Sequence, residues 1–330
     1  MDLIVLEKLS LLILGLLMLW GGAELLVRYT SLLARSMGVS PIILGLTIVS
    51  VGTSIPELVV SIIAALEGQV GIALGNIVGS NIANLGLILG VGALIISLEI
   101  KRSWILPEVG IMIAVTLVFW MLAETGDKVV QAEGLLLLVM MGGFLIYIAR
   151  NTLEEMAEYR EMVAENGENG IRQISTARKW GYLGLSIVGI AVLITGSKIA
   201  VSAGTRLAEI LNVTNTVIGL TLIAVGTSLP ELITTIVSAI RKENDLAIGN
   251  IIGSNIFNIT LIGGVTATLH PIPVTEDPKL MIYEMPLMIF LSFLTLAVLW
   301  IRSSRRNLHV VKGVLLLSMY VLFLFLTVSR

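Results

Sequence analysis

Long apolar stretches alternate with short polar ones along the whole chain, and each apolar stretch is close to the ~20 residues that a helix needs to cross a bilayer. The pattern predicts helices at 5–27, 41–66, 71–97, 104–123, 130–149, 181–205, 215–240, 246–269, 280–301 and 309–328. The fold class is therefore all-α integral membrane, with ten transmembrane helices. The first stretch is too long for a signal peptide, carries Asp2 and Glu7, and lacks a small-residue cleavage site, so it is expected to stay as a helix. The longest polar interval, 151–179, opens on the Glu-rich, partly helical NTLEEMAEYREMVAEN and continues into GENG. It is too short to build its own core and is read as a solvated linker. It divides the chain into units at 1–150 and 180–330.

Composition places these helices in lipid rather than in a soluble core. Apolar residues make up 56% and charged residues 13% of the sequence, against soluble averages of roughly 45–50% and about 25%. There is no cysteine, which excludes disulfides, thiolate metal sites and a Cys nucleophile. Only two histidines occur, His270 and His309, both near predicted helix ends, and no GxxxxGK[ST] nucleotide loop is present. A hydrolase and an ATP-driven pump are both disfavoured, and the protein is expected not to be an enzyme. Cytoplasmic loops are enriched in Lys and Arg. One set of alternate loops holds fifteen of them, from Arg28 and Arg35 to Arg306 and Lys312, and the other only six. Both termini are thus expected outside the plasma membrane, with 151–179 in the cytoplasm. The expected surroundings are lipid, with no nucleic acid and no obligatory protein partner.

The sequence repeats itself. At an offset of 174, residues 39–95 align with 213–269 without a gap, and 27 of the 57 pairs are identical. GTSIPEL at Gly52–Leu58 matches GTSLPEL at Gly226–Leu232, and GNIVGSNIAN at Gly75–Asn84 matches GNIIGSNIFN at Gly249–Asn258. Shared hydrophobicity does not put Gly, Pro, Asn and Glu in register. Each unit holds five predicted helices, an odd number, so the second copy is expected to lie upside down relative to the first. Inverted repeats that meet at a midplane site are a transporter architecture.

The repeated residues suit a hard cation. Pro56 and Pro230 each remove a backbone donor midway along a span, which is expected to break the helix and free carbonyls around Ser50–Thr53 and Ala224–Thr227. Irregular backbone at that depth survives when buried in protein or facing a water-filled cavity. Glu57 and Glu231 follow directly, and a charge near the bilayer centre costs on the order of 2.5–3.5 kcal/mol. Two carboxylates there demand a compensating cation. Ser80 with Asn84, and Ser254 with Asn258, stand at i and i+4 and share a helix face. Oxygen ligands without His or Cys fit calcium and sodium rather than zinc or copper. Gly71, Gly75 and Gly79, mirrored by Gly249 and Gly253, are expected to let helices pack closely. Asn76, Asn81, Asn250 and Asn255 are read as helix bridges rather than ligands. Glu24, Glu108 and Glu284 are read as solvated or interfacial, and His270 as a loop residue.

The doubled GTS-x-PE and GN-x-x-GSN-x-x-N motifs resemble the two alpha-repeats of the cation/calcium antiporter superfamily, and within it the compact prokaryotic form of the sodium/calcium exchanger branch. The resemblance implies a core of the helices at 41–66, 71–97, 215–240 and 246–269, with the first and sixth helices sliding across it. It implies central calcium ligands at Glu57 and Glu231, shared with sodium, and carbonyl ligands at Thr53 and Thr227. Flanking sodium ligands are implied at Ser54, Ser80, Asn84, Ser228 and Ser254 and at the Ser50 and Ala224 carbonyls. The implied activity is sodium-driven calcium exchange by alternating access, with no cofactor and with calcium and sodium as the transported ions. Asn258 stands where some relatives and the potassium-dependent branch carry Asp. The alternatives are a proton-coupled or potassium-dependent antiporter of the same fold, or a cation channel.

Overall fold

The computed structural model describes residues 2–95, 102–126, 128–166, 175–211, 224–274, 280–301 and 306–328. Apart from one two-residue antiparallel bridge, β1 (Lys128–Val129) with β2 (Ile272–Pro273), the described regular structure is helical. Among the described residues eight helices are long and apolar enough to cross a membrane, and a ninth crossing is a pair bent by 45°, Pro41–Thr53 with Ile55–Leu66. Of the span expected at 215–240, residues 212–223 lie outside the described residues. Its remainder forms two short helices, Ala224–Thr227 and Leu229–Ile240. The chain is a multi-pass membrane protein, and its outward side chains agree: Leu17, Ile187 and Phe325 are more than half exposed on outer helices and suit lipid.

In chain order the described helices are α1 (Asp2–Met37), α2 (Pro41–Leu44), α3 (Ser50–Thr53), α4 (Ile55–Leu66), α5 (Val70–Ile82) and α6 (Leu89–Ile95). They continue with α7 (Arg102–Glu124), α8 (Gln131–Asn166), α9 (Thr176–Ile210), α10 (Ala224–Thr227), α11 (Leu229–Ile240) and α12 (Asn244–Phe257). The last three are α13 (Gly264–Leu269), α14 (Met285–Trp300) and α15 (Arg306–Val328). Between α2 and α3, α5 and α6, and α12 and α13 the chain stays helical but widens into π-turns, at Gly45–Val49, Ala83–Ile88 and Asn258–Gly263. A fourth π-turn, Leu280–Glu284, leads into α14.

Helix ends follow local chemistry. Gly38 (φ 72°) closes α1 in the left-handed region, with Val39 N–H returning to the Ala34 carbonyl at 3.1 Å. Gly68 (φ 74°) closes α4 in the same way, and at the matching end of α11 the left-handed residue is Lys242 (φ 61°). Ser40 caps α2 through its hydroxyl, and Pro41 occupies the first turn, where its missing donor is harmless.

The motif-bearing helices occupy the centre. Within their apolar windows, 94% of Asn244–Leu269 and 78% of Gly71–Ile95 is buried, against 22–44% for the other long helices. Their Ile77, Ile82, Ile88, Ile251, Ile256 and Ile262 form one core with Met112 and Phe119 of α7. A second core, with Leu19, Leu26 and Leu193, joins α1 to α9. Gly249 and Gly253 hold α12 so close to α2 and the following turn that an added Cβ would lie 2.5 Å from the Ile42 carbonyl and 2.6 Å from Ser50 Oγ. For Gly75 and Gly79 the expected tight packing is not seen among the described residues, where nothing lies within 4 Å of such a Cβ. The segment matching their mates' partners, 216–224, falls almost entirely outside those residues.

One expectation is refined and one corrected. The start of the 151–179 interval is helical as an uninterrupted continuation of α8 to Asn166, and within it Glu155 is buried where its Oε2 accepts the Ser40 N–H at 2.7 Å. Glu108 is not interfacial: Pro107 is accommodated near the start of α7, and Glu108 is buried with Tyr147 donating to it at 3.1 Å.

Candidate functional site

The break in the second span lies at Ser54 (φ −83°, ψ 6°), and the equivalent break lies at Ser228 (φ −87°, ψ 7°). The helices restart one residue before Pro56 and Pro230, which then stand in the first turn. The expected break is therefore present, displaced two residues toward the N-terminus, because a proline in a first turn needs no donor. Glu57 and Glu231 enter the first turns of α4 and α11, where exposed N–H groups and the helix dipole favour a negative charge. Each side chain is only 1% exposed.

The two halves then cross over. Ser54 donates its hydroxyl to Glu231 Oε1 at 3.0 Å, and Ser228 donates to Glu57 Oε1 at 3.1 Å. Thr227 lies beside Glu57 and Thr53 beside Glu231, and Thr53 also donates to Asn250 Oδ1 at 3.1 Å. Each carboxylate therefore has one oxygen held by a serine of the opposite half. Its second oxygen, Oε2, is buried without a partner.

The neutral oxygens expected at the site are buried as well. Asn84 and Asn258 are 1% exposed, each at or next to the start of a π-turn, and the Oδ1 of each is buried and unpartnered. Ser254 Oγ is in the same condition, and Ser80 is buried. Buried polar atoms are nearly always paired, so the two Oε2 atoms and these neutral oxygens are left available to a ligand. The Ser50 carbonyl accepts the Ser54 N–H at 3.1 Å and the Thr53 hydroxyl at 3.5 Å. Ala224 lies in α10, directly after the residues outside the described set. Among the described residues no group of three or more His, Cys, Asp or Glu forms. The donors are two carboxylates plus hydroxyl, amide and carbonyl oxygens, a set for calcium or sodium rather than a soft metal.

Some supporting residues carried no sequence signal for their role. Ser197 of α9 donates to the Gly226 carbonyl at 2.8 Å, taking up the acceptor that Pro230 leaves without its helical donor. Asn76 bridges helices as expected, but it does so by holding the Glu57 carbonyl at 3.0 Å and Ser61 Oγ at 2.9 Å. It thereby fixes the first turn of α4. Along α11, Thr234, Thr235 and Ser238 extend the buried face of Glu231 at the i+3, i+4, i+7 spacing, a stripe that could have been read from the sequence.

The family model described as sodium/calcium exchanger protein matches residues 8–150 and 181–329. The inner membrane protein YrbG of Escherichia coli is 35% identical, covering 96% of this chain and 95% of that protein. The sodium/calcium exchanger MaX1 of Methanosarcina acetivorans is 32% identical, covering 95% of this chain and 96% of that protein. Among solved structures, the sodium-calcium exchanger NCX_Mj superposes with a TM-score of 0.80 at 26% identity, covering 96% of this chain and 98% of that one. The broken helices, the crossed carboxylates and these matches over nearly the whole chain place the protein in the sodium/calcium exchanger family of membrane transporters.

Proposed function

We propose that this protein is a secondary antiporter that moves calcium against sodium through one buried site centred on Glu57 and Glu231. The observation that carries the reading is the reciprocal pair of bonds, Ser54 to Glu231 and Ser228 to Glu57, which leaves both Oε2 atoms buried and unpartnered. Two carboxylates supply a charge of −2, which one calcium or two sodium ions neutralise. The ions compete because they need the same oxygens. On this reading Thr53 and Thr227 add carbonyl ligands for calcium, while Ser54, Ser80, Asn84, Ser228 and Ser254 with the Ser50 and Ala224 carbonyls hold flanking sodium. The amide of Asn258 adds a neutral oxygen and no further charge.

The transport cycle we infer is alternating access in a ten-helix chain of two inverted five-helix units, 1–150 and 180–330, joined through 151–179 on the cytoplasmic side. Exchanging the conformations of two similar halves opens a midplane site to one side and then the other. The 174-residue repeat supports the two-unit reading, and α1 and α9 are the elements placed to slide. The membrane is the cell's plasma membrane, with both termini outside. The test is radiolabelled calcium uptake into proteoliposomes with sodium, potassium and proton gradients imposed one at a time. Uptake driven by an outward sodium gradient alone is expected; uptake driven only by a proton gradient, or absent without potassium, would assign the coupling to the alternatives.

A further inference from the structure

The offset of 174 pairs Asn76 with Asn250, Ser61 with Thr235, Thr53 with Thr227 and Glu57 with Glu231. Each half thus owns the same three parts: an amide on the helix after the carboxylate, a hydroxyl one turn beyond the carboxylate, and a hydroxyl just before the break. Equal parts could make equal bonds, but the two halves bond differently.

In the first half the amide serves its own hairpin. Asn76 Nδ2 donates to the Glu57 carbonyl at 3.0 Å and to Ser61 Oγ at 2.9 Å, which ties the first turn of α4 to α5. In the second half Asn250 makes neither bond. Its Oδ1 accepts the Thr53 hydroxyl of the opposite half at 3.1 Å, and its Nδ2 is buried without a partner among the described residues. Thr235 Oγ1, the image of Ser61 Oγ, is in the same condition, and so is Thr227 Oγ1, the image of the bonded Thr53 hydroxyl. Asn250 and Thr235 are at most 1% exposed. From α6 Thr235 meets Gly92, where an added Cβ would lie 3.3 Å from Thr235 Cγ2 and which has no polar side chain to offer.

Three leftover atoms in one half, each the image of a bonded atom in the other, match a second setting of the same parts. Leaving a buried polar group unpaired is costly, and that setting would pair them. Asn250 Nδ2 would turn to the Glu231 carbonyl and Thr235 Oγ1, and Thr227 would donate to Asn76 Oδ1. Exchanging the conformations of two similar halves produces this change.

We propose that Asn76 and Asn250 are alternating clamps on the turns that carry Glu57 and Glu231, Asn76 closed in the present state and Asn250 closed, with Thr235, in the other. The proposal rests on the alternating-access reading above. It makes Asn76, Ser61, Asn250 and Thr235 positioning residues rather than ion ligands, and it gives the Thr235 hydroxyl, unbonded here, a partner in the opposite state.

The test uses that unbonded hydroxyl. Thr235→Val takes no bond from the present state and removes one from the other. In alternating access the half-saturating concentration at each face varies inversely with the population open to that face. The ratio of half-saturating calcium concentrations at the two faces, measured in proteoliposomes of uniformly oriented full-length protein, should therefore shift about two- to tenfold in Thr235→Val, the range of one net hydrogen bond. Ser61→Ala weakens the Asn76 clamp and should shift the ratio in the opposite sense. Thr235→Ser, which keeps the hydroxyl and loses the methyl, should restore the wild-type ratio. A ratio unmoved by Thr235→Val, moved as far by Thr235→Ser, or moved in the same sense by Ser61→Ala would overturn the proposal. If the wild type carries no calcium, the ion assignment fails and the clamp is judged without transport. Ser61→Ala should then slow backbone amide exchange at 229–235 by about twofold or more, because it favours the state in which Asn250 holds that turn; unchanged exchange there would overturn the clamp.

Discussion

Ser54 donates its hydroxyl hydrogen to Glu231 Oε1 at 3.0 Å across 177 residues of sequence. The bond joins the break of one half to the carboxylate of the other, so neither half alone can build the site. Ser228 and Glu57 repeat it at 3.1 Å. A hydrogen bond to an ionised group contributes about 1.5–3 kcal/mol, enough to fix which carboxylate oxygen faces the ion.

Removing either hydroxyl should therefore weaken cation binding while leaving transport. Ser54→Ala and Ser228→Ala are each expected to raise the apparent dissociation constant for sodium or calcium on the order of tenfold or more. The effects should be of similar size, given the matched geometry. Calcium titrations of the purified variants check this, and an unchanged midpoint in both would detach the serines from the site.

Competition follows from the charge count. If calcium and sodium share the Glu57 and Glu231 oxygens, raising sodium must weaken apparent calcium affinity, and calcium must weaken sodium binding by the same factor. Calcium titrations at several sodium concentrations test this, and a midpoint independent of sodium contradicts a shared site.

Helix contact is the third lever. Gly253→Ala would drive a methyl to 2.6 Å from Ser50 Oγ and 2.8 Å from the Leu46 carbonyl, an overpacking expected to cost about 1–3 kcal/mol. Gly143→Ala, with nothing described within 4 Å, should be near neutral. Lys242→Gly should stabilise by about 1 kcal/mol, because Lys242 holds a left-handed φ of 61° that Gly adopts freely. Thermal unfolding in detergent ranks the three.

Much of this was legible in the chain. The apolar runs of about 20 residues give the helices, and the offset of 174 pairs Glu57 with Glu231 and Asn84 with Asn258 before any coordinate is known. Pro56 and Pro230 announce the breaks, though not that the turn falls at Ser54 and Ser228. The π-turns at Ala83 and Asn258 were invisible, because one extra residue per turn leaves no mark on composition. Glu108 was misread because position along a span does not reveal that a second helix covers the end: Tyr147 of α8 reaches it. The helical continuation of α8 was hinted at by its Glu-rich start, but the burial of Glu155 depends on Ser40, 115 residues away.

Asn258 bears on coupling. With an amide there the carboxylate charge stays at −2, so moving three sodium ions, the number that the resemblance to sodium/calcium exchangers implies, would leave one uncompensated positive charge. Exchange is therefore expected to be electrogenic and to proceed without potassium. Sodium-driven calcium flux measured with potassium absent and the membrane potential clamped at different values checks both; flux indifferent to voltage, or an absolute need for potassium, would count against this role of Asn258.

The central claim is that the two buried carboxylates are the ion site. The most direct measurement is sodium-gradient-driven uptake of radiolabelled calcium into proteoliposomes containing wild-type protein, Glu57→Gln or Glu231→Gln, with equal amounts of folded protein confirmed by gel filtration. Gln preserves shape and removes one charge from a site that needs both. The account predicts uptake in the wild type and none above protein-free vesicles in either variant. Uptake near the wild-type rate in either variant would contradict it.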